Sequence, residues 1–209
     1  MKARRDELGL TAREYATLAR LTTPERIQAF VSGMPANFEP DGETVHSVRN
    51  VLCYRVAHCI EGALVAACAL WVQGMTPLVM HLDCAAHDNP HVVGLFKRRG
   101  HWGALSKSNG AWLRYREPVY RSLRELAMSY FHEFFDKRGH KTLRGYSGAF
   151  DMRKIDPSLW VTNPNACVEV DRRLAGLRHY SLVTDAQARA LSRRDAHERR
   201  AARLVEYSR

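Results

Sequence analysis

The stretch that most restricts the fold runs from Cys59 to Trp71, where Ala63, Ala66, Ala67 and Ala69 sit beside Leu64, Leu70 and Trp71, and Glu61 is the one charge. Small and apolar residues on every face predict a helix buried all round and packed close to its neighbours, and Gly74 ends it. Such a helix needs cover on all sides. A chain of 209 residues, 45% of them hydrophobic, is long enough to supply that cover from one core, and one domain over residues 1–209 is expected. Apolar runs follow: Thr76 to Leu82, His91 to Phe96 and Trp102 to Leu105 read as strands, with Arg98-Arg99-Gly100 turning between the last two. The expected fold class is α+β: a helical layer carrying Cys59 packed on a small antiparallel sheet carrying His91, with C-terminal helices outside.

Flanking signals extend this frame. Thr23 is the N-cap of a helix with Pro24 at its first position and Ile27, Phe30 and Val31 on one face. Breakers from Gly33-Met34-Pro35 to Asp41-Gly42 predict a turn-rich segment, and a helix is expected from about Thr44 to Tyr54. Pro118 to Phe135 reads as an amphipathic helix closed by Gly139. The last 39 residues, from Asp171, carry ten Arg against five acids and predict a helical, Arg-rich extension over 171–209.

A basic start without an apolar run behind it gives no export signal, so a cytoplasmic protein is expected. Gly62 to Leu82 approaches membrane-spanning length, but Gln73, Gly74, Pro77 and His81 interrupt it, and no membrane association is implied. Five cysteines at irregular spacing indicate free thiols. Cys53 and Cys68 fall in apolar helical patterns and read as core. The net charge of +10 favours an anionic partner, and Lys97 to Arg124 holds eight Lys or Arg against the single acid Glu117. A solvated basic face is the simplest reading of Lys107, Arg114 and Arg116. Trp112, Tyr115 and Tyr120 interleave with these bases, a pattern compatible with nucleotide stacking, although aromatics beside a strand more often cover the core.

A thiol becomes a nucleophile when its thiolate is stabilised, which the positive end of a helix does. Cys59 stands where such an end is expected. An imidazole must then take and return its proton, and His91, opening a strand, is placed for this. The backbone N–H of Cys59 is the expected half of an oxyanion hole.

Cys59-Ile60-Glu61-Gly62-Ala63, the helix through Trp71, the Gly74-Met75-Thr76-Pro77 turn, the strand, His91-Val92-Val93 and then Gly100-His101-Trp102 resemble the core of the transglutaminase-like superfamily, which is papain-related. That core has a Cys on a helix, a Gly-Ile-Pro-like turn, a His opening a strand and a Gly-Trp ahead of an Asp. The resemblance spans Val45 to Asn109. It implies thiol-dependent acyl transfer or amide hydrolysis without a cofactor, acting on a peptide or protein substrate, acidic ones included, with Cys59 and His91 as two members of a triad. The third member departs from the pattern, since Trp102-Gly103-Ala104-Leu105 leads to Ser106, with Asn109 close behind. Either can orient the imidazole through a neutral side chain, and Asp83 and Asp88 stay open as substitutes in space. Glu61, Trp102 and Lys107 are read as substrate contacts, Glu61 being also an acid that complements the first helical turn.

Three rival readings remain. The missing acid at Ser106 suits a binding protein on a catalytically weakened scaffold. The charge and Arg-rich end suit a basic nucleic-acid-associated module, which is not the favoured partner class. His81, Cys84, His87 and His91 fall at intervals reminiscent of metal ligands, but they are read here as strand and loop, and no metal is expected.

Overall fold

A computed structural model describes residues 1–40, 42 and 44–208, so Asp41 of the expected turn and Arg209 of the expected extension lie outside the described residues. The helix α4 (Cys59–Val72) is the axis of the fold, with twelve of its fourteen residues buried. Helices α1 (Ala12–Ala19), α2 (Pro24–Ser32) and α3 (Val48–Tyr54) cover three sides of it, and the sheet covers the fourth. Thr23 caps α2 by accepting from the Arg26 N–H, with Pro24 at its first position, as expected.

The sheet contains β1 (Leu78–Cys84), β2 (His91–Arg98), β3 (His101–Leu105), β4 (Arg116–Tyr120), β5 (Leu143–Ser147), β6 (Phe150–Asp151) and β7 (His179–Ser181). The order is β4-β3-β2-β1-β5-β7, with β6 also against β1, and every pairing is antiparallel. Alternate side chains enter different cores. Val79, Val92 and Phe96 join the helical core, whereas Met80, Leu82, Val93 and Leu95 join a second core with Leu126, Tyr130 and Phe134. Gly94 stands in the middle of β2 because a Cβ there would lie 3.0 Å from the Ala66 Cβ, and this close approach seats α4 directly on the sheet. Arg99 and Gly100 both take positive φ in the β2–β3 turn.

Four expectations change. The helix expected from Thr44 starts at Val48, capped by Ser47, because Val45 takes a positive φ of 37° and the His46 N–H goes to Glu61. The helix expected over 118–135 is instead strand β4, helix α5 (Leu123–Met128) and a short 3-10 turn at Phe131–Glu133. Pro118 lacks an N–H, which an edge strand tolerates, and the Ser122 hydroxyl captures the Glu125 N–H to start the helix late. The Arg-rich extension is broken into α6 (Val168–Ala175), β7, α7 (Asp185–Ala190) and α8 (Ala196–Ala201). Cys53 is exposed rather than core, whereas Cys68 is buried. No helix among the described residues is long and apolar enough to cross a membrane.

Candidate active site

Cys59 opens α4, and its N–H belongs to the first turn, outside the helical ladder that begins with Gly62 N–H to His58 O at 2.9 Å. A carboxylate organises this turn. Glu61 is fully buried and accepts from the backbone N–H of His58 at 2.8 Å and of His46 at 2.7 Å, and from Asn37 Nδ2 at 3.0 Å. The expectation that Glu61 touches substrate is therefore corrected: both oxygens are spent tying Asn37, His46 and His58 to the helix start.

The thiol lies in a cleft of about 280 Å³ whose wall includes His58, His91, Lys107, Asn109, Trp112 and Phe134. Enclosure works against charge on the sulfur. The neighbouring His58 and His91 imidazoles outweigh that effect and hold the thiol well below its ordinary value. Burial likewise works against charge on His58, yet the Cys59 thiolate, Glu61 and Glu39 raise it to about 9. Glu39 Oε1 lies 3.3 Å from His58 Nε2. The site is thus a thiolate between two imidazoles, one of them cationic at neutral pH.

His91 begins β2, nearly fully buried, with its ring edge-on to Phe134. Its Nε2 lies 2.8 Å from Ser106 Oγ, just beyond the end of β3. Ser106 Oγ donates its one proton to the Leu113 carbonyl at 2.5 Å, and a carbonyl can only accept. Toward His91 the hydroxyl must therefore accept, which puts a ring proton on Nε2 and leaves Nδ1 to exchange the second proton with Cys59. Gln28 on α2 holds Ser106 in place with a two-point clamp, Ser106 N to Oε1 at 2.9 Å and Nε2 to Ser106 O at 2.8 Å.

The remaining expected residues separate. Asn109 lines the cleft but does not reach His91; its side-chain amide bonds the backbone of Tyr207 at both N–H and C=O, each at 2.9 Å. Asp88 also lines the cleft, with its carboxylate engaged by the Thr142 hydroxyl, while Asp83 pairs with Gly145 in the sheet. Lys107 lines the cleft too, yet it is 1% exposed, its Nζ directed at the Ser32 and Met34 carbonyls. Trp102 faces Lys97, six residues along β2 from His91, and so stands about 20 Å from the ring, under the Lys97 ammonium. The reading of Trp102 as a substrate contact is corrected by this register.

The basic face is mostly committed inside the molecule. Arg98 pairs with Glu25 at 2.6 Å, Arg114 with Glu206 at 3.2 Å and Arg116 with Glu133 at 2.6 Å. Tyr115 stacks on Phe96, and Trp112 tilts against Phe135. The four residues with ligand-like spacing also part company, because His81 Nδ1 meets His179 Nε2 at 2.8 Å while His87 turns toward Asp136.

Two contributors were missed. The neighbour pair His58-Cys59 is visible in the sequence, but adjacency alone does not say that the ring turns toward the thiol. Gln28 gave no signal, since an amide on an ordinary amphipathic helix has many roles. Compared with models of protein families and with curated proteins, the chain matches none.

Proposed function

We propose that this chain is a thiol-dependent acyl transferase or amide hydrolase on a transglutaminase-like, papain-related core. The observation that carries the reading is the Cys59 thiol at the start of a buried helix, held low by two imidazoles, one of which has its tautomer set by Ser106. The Cys59 thiolate attacks an acyl carbonyl, its proton held by the flanking imidazoles. The tetrahedral adduct then collapses: the C–N bond breaks, His91 gives the proton to the leaving amine, and a thioester remains. Water or a second amine attacks the thioester, His91 takes its proton, and the thiolate leaves beside the single imidazolium that this restores. The Cys59 N–H faces the developing oxyanion. Water makes the reaction hydrolysis and an amine makes it acyl transfer.

Iodoacetamide should label Cys59 faster than the other four cysteines at pH 6.5, although Cys53 is the exposed thiol. Cys59→Ala should remove that fast labelling with the far-ultraviolet circular dichroism unchanged. Preferential labelling of Cys53 would overturn the reading. The neutral partner of His91 favours a second reading, a binding protein on the same scaffold. In that case fast labelling would persist, while activated esters and glutamine peptides would show neither turnover nor trapping by hydroxylamine.

A further inference from the structure

Outside the thiol cleft, one cluster brings two imidazoles and a carboxylate together. His87 comes from the turn after β1, and Asp136 and His140 from a tight turn closed by the Phe135–Lys141 bridge, the Asp136 N–H to His140 O bond and Gly139 at a φ of 83°. Asp136 Oδ1 accepts from the backbone N–H of Arg138 at 2.8 Å and of His140 at 2.9 Å, which fixes the carboxylate. Its Oδ2 is aimed at both rings, 2.7 Å from His140 Nδ1 and 3.3 Å from His87 Nε2. The three candidate ligand atoms lie within 4.8 Å of one another.

We propose that His87, Asp136 and His140 bind a divalent transition-metal ion, with a fourth position open to water. Two nitrogens and one oxygen suit Zn²⁺, Co²⁺ or Ni²⁺, whereas Ca²⁺ and Mg²⁺ take all-oxygen sets. Ligand bonds of about 2.0–2.1 Å in a tetrahedron place neighbouring ligand atoms about 3.4 Å apart. The His87–Asp136 separation already matches. The His140–Asp136 separation must open by about 0.7 Å to reach that tetrahedral spacing, which the partly exposed His140 ring can supply. The open position faces a cavity of about 550 Å³ bounded by Asp88, Asn89, Lys137 and Arg138. The two cations there weaken the site relative to a closed one and favour a water or anion as fourth ligand. The bound ion would pin the short loop from His87 to His91, since Asp88 and Asn89 line both this cavity and the thiol cleft.

The test uses the full chain, stripped with a chelator, dialysed and titrated with Zn²⁺ in a calorimeter and with Co²⁺ in a spectrophotometer. One ion per chain is expected, with visible Co²⁺ absorption and no sulfur-to-cobalt charge-transfer band. His87→Ala and His140→Ala, both at partly exposed positions, should each weaken binding by more than the roughly 10–100-fold that outer-shell changes cost. Circular dichroism of each variant checks that it is folded. No binding by the parent chain, binding by either folded variant as tight as the parent's, or a charge-transfer band showing thiolate ligands would each overturn the proposal.

Discussion

Ser106→Ala removes one atom from the centre of the proposed site. The hydroxyl is 1% exposed and makes two bonds, accepting from His91 Nε2 at 2.8 Å and donating to the Leu113 carbonyl at 2.5 Å. Alanine leaves a buried N–H and a part-buried carbonyl without partners, at up to about 1–3 kcal/mol each. The deleted hydroxyl no longer has to be kept from water, which offsets part of that, so a loss of roughly 2–4 kcal/mol is expected. The freed ring can also exchange tautomers, so Nδ1 no longer stays directed at the sulfur, and Cys59 alkylation should slow several-fold. Urea unfolding followed by circular dichroism reads the first effect. Mass spectrometry of iodoacetamide labelling at Cys59 against Cys53, from pH 5.5 to 8.5, reads the second. Ser106→Thr keeps the hydroxyl and adds a buried methyl, so it should restore the labelling profile while still costing stability. A loss under about 0.5 kcal/mol for Ser106→Ala, with labelling unchanged, would refute the claim that this hydroxyl sets the ring.

Two further outcomes can be measured. In the folded chain the His58 imidazole is raised from 6.5 to about 9, so its contribution to stability is complete below about 6.5 and is lost as pH rises through about 9. The lowered Cys59 thiol works in the opposite sense: its contribution is present above the ordinary thiol value of about 8.5 and is lost as pH falls through the lowered one. Between roughly 6.5 and 8.5 the pair exchanges no net proton on folding. His58→Gln should therefore make the urea midpoint rise with pH across that window relative to the parent chain, and parallel curves would exclude the pairing. Gly62→Ala would place a Cβ 2.5 Å from the Lys107 Cβ. Overpacking of about 1–3 kcal/mol, less about 1 kcal/mol of helix propensity, should give a net loss and slower Cys59 labelling through displacement of the adjoining Ser106. A stabilised variant would show that Lys107 moves aside freely.

The helix and the first three strands were legible because their signal is local: a run of small apolar residues, three short apolar runs and a two-residue turn at Arg99 and Gly100. The approach of Ser106 to His91 followed from the same hairpin, since a short turn sets the register of everything beyond it. Trp102 was misplaced by that very register, which carries it to the far end of the ribbon. Glu61 was misread because its partners, His46 and Asn37, lie on an irregular loop with no period to announce it. Asn109 was drawn off by Tyr207, nearly a hundred residues later, a contact that no local pattern encodes. Strand β4 was hidden because Val119, Leu123 and Leu126 satisfy a helical spacing, and only pairing with β3 decides against it.

The groups of the site differ in how readily they come apart. Cys59 stands at the head of a helix buried on all faces, and β2, which His91 opens, is bonded on both sides; elements of this kind open only when the whole molecule does. Ser106 and the stretch to Tyr115 are held by the Gln28 clamp, by the bond from the Leu113 N–H to Glu133 at 2.8 Å and by the Asn109–Tyr207 pair. Releasing those few bonds is a local event that leaves the thiol and the ring in place and removes only the anchor of the ring. Mild heat or low urea should therefore change the chemistry of Cys59 well before circular dichroism registers any unfolding, and the amides of residues 106–115 should exchange with solvent deuterium long before those of the central helix.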